Sequence, residues 1–286
     1  MSEDLRERPP RYLNLFTQIQ VLFGGFYMQM GLILFWFSLI FMLVFVGQSN
    51  VMYWFQFDGE WTKAKGIVQA IEETNNSVNE ESIYEYTFSY NFNGQSYQGV
   101  SYSPWNNSLS EGKEVLVEFK FVNPNRSRIY QTNEAIFPGW ISFLLLFPLG
   151  GIFLIASGGI QNFRALQLLK NGAFTRGKML SYEATNAEIN DQTVYKYEFE
   201  FEANYRTYIA TCETHLTDRV EDEELEKILY QKDNPTYNVV YDAITSMPAI
   251  NQFGKIEQVG IFALVYLIST VLGVVVNGIV YLGIYG

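Results

Sequence analysis

The stretch 84-YEYTFSYNFNGQSYQG-99 decides how this chain is read. Tyr84, Tyr86, Phe88, Tyr90 and Phe92 fall on one side of an extended strand, and Glu85, Thr87, Ser89 and Asn91 on the other. Alternation with period two marks a sheet with one buried face. Asn93-Gly94 then supplies a two-residue type I′ turn, since both residue types tolerate positive φ, and QSYQGVSY returns as the partner strand. Further on, 195-YKYEFEFEANYRTYIA-210 repeats the pattern.

The echo is quantitative. Offset by 111 residues, positions 66–130 show 13 identities in 65 ungapped places. They include Gly66 with Gly177, Thr74-Asn75 with Thr185-Asn186, Asn79 with Asn190, and Tyr84, Tyr86, Phe88 and Tyr97 with Tyr195, Tyr197, Phe199 and Tyr208. Asn123-Pro124 meets Asn234-Pro235. Such a period means that one supersecondary unit is written twice. Each unit reads as about five short strands, a small antiparallel barrel or sandwich. Residues 67–71 open the first unit. EVLVEFKF follows with Val115, Val117, Phe119 and Phe121 inward, and 127-SRIY-130 closes the unit after an Asn-Pro turn. In the second unit Ile228 and Tyr230 replace Val117 and Phe119, and Asp218 with Glu221 predicts a capping box opening a short acidic helix. The aromatic stripes are expected to form the two cores, because burying each large side chain contributes about 1.5–3 kcal/mol and a small domain has few other sources of stability.

Around these units lie three windows with no charged residue: between Arg11 and Asp58, between Glu134 and Arg164, and after Glu257. Each holds an apolar run of the length, about 20 residues, that a bilayer-spanning helix needs. The runs fall at 26–47, 136–158 and 259–283. The class expected is therefore an α+β membrane protein. It comprises a polar N-terminal segment (1–19), a transmembrane helix (20–48), a β domain (49–134), a second helix (135–160), a second β domain (161–257) and a third helix (258–286). The first run lacks a small-residue cleavage site and is read as an uncleaved anchor.

In sequence order Gly66, Tyr84-Tyr86-Phe88, Gly94 with Tyr97, Gly112-Val115-Val117 and Asn123-Pro124, flanked by apolar helices, resemble the bacterial membrane-protein family called domain of unknown function 3592, here in two tandem copies. The second copy departs from the pattern at Tyr205, which replaces the turn glycine, and at the acidic insertion around residues 218–227. The resemblance implies a bacterial membrane protein with extramembrane β domains, and no activity.

Signatures of chemistry are few. The sequence shows no phosphate-cradling glycine loop, no H-E-x-x-H and no paired-cysteine zinc motif. The net charge of −11 points away from nucleic acid and from a polybasic headgroup anchor. One cluster is worth weighing, 212-CETHLTDRVEDEE-224. Cys212 and His215 are weak candidates for a nucleophile–base pair or, with Glu213 and Asp218, for a metal site. The alternative is a solvated loop beside a reduced thiol, and the first copy has Ser101 and Pro104 at those places. No cofactor is expected. In the last helix Ser269, Gly273 and Asn277 share one face at four-residue spacing, as small and amide residues do where helices pack.

The expected function is that of a non-enzymatic membrane protein whose paired β domains bind a protein partner or scaffold an envelope assembly. Its partners are the bilayer and another protein, or a second copy met through the third helix or a β domain. The alternative is a membrane-bound enzyme or transport accessory subunit using the region of Cys212 and His215. Eight Lys and Arg residues near helix ends belong to the side of the N-terminus and the second unit, against five for the first unit. The positive-inside bias then puts the N-terminus and second unit in the cytoplasm, and the first unit and C-terminus outside. The sequons at Asn75, Asn106 and Asn125 all fall in the first unit and matter only in a eukaryotic secretory pathway. A rival arrangement makes the segment around Pro148, Gly150 and Gly151 a re-entrant hairpin, with both units on one side.

Overall fold

The computed structural model describes residues 4–54, 59–78, 80–104, 109–189, 191–221 and 224–286. Asn79 and Asn190, the sequon at Asn106 and residues 222 and 223 of the acidic insertion lie outside the described residues. The chain divides into two compact units, Met1–Trp36 with Pro148–Val275, and Phe37–Phe147 with Val276–Gly286.

In the second of these units, β1 (Trp61–Val78), β2 (Glu81–Phe92), β3 (Gln95–Ser103), β4 (Glu114–Lys120) and β5 (Asn123–Ile129) form one antiparallel sheet in the order β3-β2-β1-β4-β5. The sheet curls until β3 meets the chain around β5. Ser101 Oγ accepts from the Ile129 amide at 2.8 Å, and Tyr102 and Asn133 exchange backbone hydrogen bonds at 2.9 Å. This is the connectivity of a five-stranded, partly open Greek-key barrel of the OB type. Asn93 and Gly94 take φ of 52° and 78°, making the expected turn between β2 and β3. Tyr86, Phe88, Tyr90, Val115, Val117 and Phe119 fill the barrel, with Tyr84, Phe92 and Tyr97 packed against them.

The other unit repeats this design strand for strand. Its strands β6 (Ala173–Ile189), β7 (Gln192–Ala203), β8 (Arg206–Thr214), β9 (Leu225–Gln231) and β10 (Asn234–Val240) lie in the order β10-β9-β6-β7-β8. Pair registers match under the shift of 111. Val68 opposes Phe88 as Met179 opposes Phe199, and Gly66 opposes Val115 as Gly177 opposes Glu226. Even the irregularities coincide, at Val68/Ala70 with Met179/Ser181 and at Glu73/Ser77 with Ala184/Glu188. At the second irregularity the Thr74 hydroxyl donates to the Ile83 carbonyl, and that of Thr185 to the Val194 carbonyl, both at 2.8 Å. That bond satisfies a carbonyl the disrupted ladder leaves over and accounts for one repeated identity. Gly66 and Gly177 account for another, since a Cβ there would collide with the Val117 and Ile228 side chains. Tyr197, Phe199 and Phe201 are fully buried in the second barrel, with Tyr195, Tyr208 and Cys212 against them.

Several local expectations are corrected. Phe121 does not point inward. It lies with Val122 in the tight turn between β4 and β5, 61% exposed, so the strand ends at Lys120. Asn123-Pro124 and Asn234-Pro235 open β5 and β10 instead of forming the turns before them. The predicted acidic helix is a three-residue 3-10 turn, Thr217–Arg219, without a side-chain cap. Glu221 accepts the Tyr197 hydroxyl at 2.7 Å instead of closing a capping box. Tyr205 keeps the I′ turn at φ 60° with its ring in solvent, so the loss of glycine does not change the hairpin.

Three helical segments are long and apolar enough to cross a membrane: Phe26–Val46, Gly139–Asn171 and Ile261–Tyr285. The first begins later than residue 20, because α1 (Leu15–Phe23) is a separate helix. Asn14 caps it by accepting the Thr17 amide at 2.7 Å, and Gly24-Gly25 ends it before α2 (Phe26–Phe41). Carbonyls freed at this break are taken up by amide side chains, Gln29 donating to Phe23 O and Asn162 to Leu22 O. A five-residue π-helical segment, Met42–Val46, continues α2, and a single helical turn, α3 (Val51–Trp54), follows it. The second segment outruns its expected end at 160. After a 3-10 turn it runs as α4 (Leu146–Asn171), unbroken through Pro148, Gly150 and Gly151. Pro148 stands in the first turn, where its missing N–H costs no hydrogen bond. The re-entrant bend at these residues is not formed. The third segment is a 3-10 turn, Ile261–Leu267, followed by α5 (Ile268–Tyr285).

The N-terminal residues, read as a polar tail, are docked. Leu5 and Leu13 join Leu166, Leu169, Leu229, Val239, Tyr241 and Ile256 in a second core on the outer face of β9 and β10. Arg11 is 4% exposed, and its guanidinium donates to Leu169 O at 2.9 Å and Glu7 O at 2.7 Å.

Candidate functional site

The sequence nominated Cys212, and β8 turns it inward. Ala210 and Thr214, its neighbours on the same face, are buried, and Cys212 sits opposite Tyr197 in the β7–β8 register. Burial, with Glu226 and Glu213 nearby, pushes its thiol up to about 12. A nucleophilic or metal-binding cysteine needs the opposite, a stabilised thiolate. Glu226 is a second unusual feature, a carboxylate only 2% exposed at the place of Val115 in the first barrel. His215 follows the end of β8, half-buried. Among the described residues no hydrogen bond joins Cys212 to His215, and no group of three or more His, Cys, Asp or Glu side chains stands close enough to hold a metal ion.

The sequence reading missed a denser cluster on the first barrel. Arg126 and Arg128, two apart on β5, project from the same face by strand periodicity. Arg126 meets Glu134 through Nε at 3.0 Å and Nη2 at 3.2 Å, and lies 4.5 Å from the Tyr53 ring centre. Arg128 binds Glu118 Oε2 through Nε at 3.1 Å and Nη2 at 3.0 Å, and lies 4.4 Å from the Trp61 ring. Lys120 approaches the same indole at 4.3 Å. Fork-shaped pairing to carboxylates combined with stacking on aromatic rings holds guanidinium planes in place. Beside the cluster opens a cavity of about 400 Å³, lined by Asn50, Tyr53, Arg126, Arg128, Asn133 and Glu134 among others. The only trace in the sequence was the R-x-R spacing between Glu118 and Glu134, which linear order does not join to Tyr53 or Trp61.

Of the three residues nominated on the last helix, Gly273 is buried against Trp36 of α2, and Asn277 is buried while Ser269 is half-buried. Backbone-to-backbone packing lies elsewhere. A Cβ on Gly31 would come within 2.7 Å of the Ile155 amide, one on Gly151 within 2.8 Å of the Phe35 amide, and one on Gly158 within 2.7 Å of the Met28 amide. α2 and α4 thus touch backbone to backbone through three glycines, the small-residue packing known between membrane helices.

These features define a class, two small Greek-key barrels carried with three membrane-length apolar helices. No family model matches the chain, and no curated protein matches it. A solved structure that does match is a chain of a replication protein A heterotrimer bound to ssDNA. The match has 12% identity and a TM-score of 0.17, and it covers 60% of this chain and 44% of that one. A likeness at that level says nothing about what this chain binds.

Proposed function

We propose that this chain is an integral membrane protein, as the resemblance to domain of unknown function 3592 implies, and that it does no chemistry of its own but uses its paired barrels to bind a partner or to scaffold an envelope assembly. The observation that carries this reading is how the two aromatic stripes are used. Both are consumed in barrel cores, and the one thiol faces a core in protonated form, so what the chain offers is surface. Fold alone does not assign function, and the OB-type connectivity adds nothing to the choice.

The membrane is the plasma membrane of a bacterium in this reading, with the N-terminus and second barrel in the cytoplasm and the first barrel and C-terminus outside. Docking of Leu5, Arg11 and Leu13 on the β9–β10 side supports a shared compartment for the first two. The excess of positive charge near the helix ends on that side supports the cytoplasm.

Affinity purification in mild detergent, followed by mass spectrometry, tests the function. A stoichiometric protein partner or a defined oligomer is expected. A folded His215→Ala variant that keeps its partner but loses a measurable turnover would favour the enzyme reading instead.

A further inference from the structure

The two barrels are near copies, so a place where they differ in chemistry and not in backbone is informative. On β10 the counterparts of Arg126 and Arg128 are Tyr237 and Val239. In the second barrel Val239 and Leu229 lie buried under Leu13, Leu166 and Leu169. A barrel of this design therefore has no structural need for arginines at those positions. The first barrel keeps two there, orients each with a carboxylate and a ring, and leaves about 400 Å³ open beside them.

The depth of that cavity is set by its lining. Asn50 lies four residues beyond Val46, the end of the first membrane-length segment, and Gly139, the first residue of the second segment, also lines it. If both segments cross, the cavity opens at the level of lipid headgroups. Resting on that reading of the segments, we propose that the cavity binds the phosphodiester of a phospholipid headgroup. Glu118 engages the Nε and Nη2 atoms of Arg128 and fixes its guanidinium, and Arg128 itself is part of the cavity lining. Arginine is suited to phosphate because its donors match two oxygens at once. Glu134 in the same lining suits a headgroup that also carries an ammonium, so phosphatidylethanolamine is favoured over phosphatidylglycerol.

The test is native mass spectrometry of the delipidated full chain, titrated separately with phosphatidylethanolamine, phosphatidylglycerol and inorganic phosphate. One tightly held phosphatidylethanolamine is expected. Arg128→Gln should lower its occupancy roughly tenfold, the loss of about one charge-assisted hydrogen bond. Asn133→Asp, at an exposed lining position whose barrel contact is made by backbone, should do the same by repelling phosphate while leaving the melting temperature unchanged. Equal lipid retention by wild type and both variants would overturn the proposal. Retention of inorganic phosphate without lipid would overturn the headgroup assignment and make free phosphate the ligand. Release of the chain from membranes by alkaline carbonate is a separate outcome, which would sink the membrane reading itself.

Discussion

At the scale of single residues the two copies permit a paired experiment. Phe88 and Phe199 are fully buried at the same register position, so their truncations are equivalent lesions. Phe88→Ala and Phe199→Ala should each cost about 3–5 kcal/mol, read as loss of protease resistance in the barrel concerned. Thr87→Ala, on the outward side of the same strand, should change resistance little. The reverse order would mean that the strand faces the other way. Cys212 supplies a pH signature. Its pKa is raised from 9.0 when unfolded to about 12 when folded, so the folded form holds a proton that the unfolded form gives up. The stabilisation is complete below about pH 9 and is lost as pH rises through the window to about 12. Denaturant melts from pH 8 to 11 should therefore show a larger drop in wild type than in Cys212→Ala, since buried tyrosines such as Tyr102 and Tyr241, also raised, contribute equally to both. A drop of equal size in both would show that the thiol does not face the core.

At the scale of elements the glycines of α4 separate packing from composition. Gly151 is pressed against the backbone of α2, whereas the nearest atom to a Cβ on Gly150 would be Leu34 Cδ2 at 3.8 Å. Leucine inserts readily in either place. Gly151→Leu should lower the melting temperature in detergent by several degrees, while Gly150→Leu should leave it nearly unchanged and both proteins stay in the membrane fraction. Gly273→Leu belongs with Gly151→Leu, because Trp36 occupies the space its side chain would need. Identical melting of all three variants and wild type would mean that these faces meet lipid, not each other.

For the whole molecule the decisive quantity is sidedness. If all three segments cross, consecutive polar units lie in different compartments, and labelling two equivalent positions tests that directly. Gln95 and Arg206 are both exposed just after the I′ turn of their hairpins. In a Cys212→Ser background, a membrane-impermeant maleimide applied to intact spheroplasts should label Gln95→Cys at once and Arg206→Cys only after lysis. Equal labelling of both in intact spheroplasts would put the barrels on one side and remove the inside–outside assignment. Labelling of Arg206→Cys alone would invert it.

Much of this protein was legible in linear order, for a physical reason. Hydrophobic alternation, turn chemistry and runs of apolar residues are local, so the five-strand unit, its duplication at 111 residues, the inward Tyr86, Phe88, Tyr197 and Phe199, and the three membrane-length segments follow from the sequence alone. Contacts between distant segments have no local mark. The strap of Leu5, Arg11 and Leu13 reads as a charged tail until β9 and β10 present an apolar face to it. Gly151 reads only as one residue of an apolar run, or in the rival arrangement as a bend, until α2 arrives close enough to need the absence of a side chain. Cys212 is only a weak candidate for chemistry beside a solvated loop until strand pairing turns it toward a core, and Arg126 and Arg128 read as two scattered charges until the fold sets them on Tyr53 and Trp61. In each case the deciding interaction joins residues far apart in the chain, and only the tertiary structure brings them within reach.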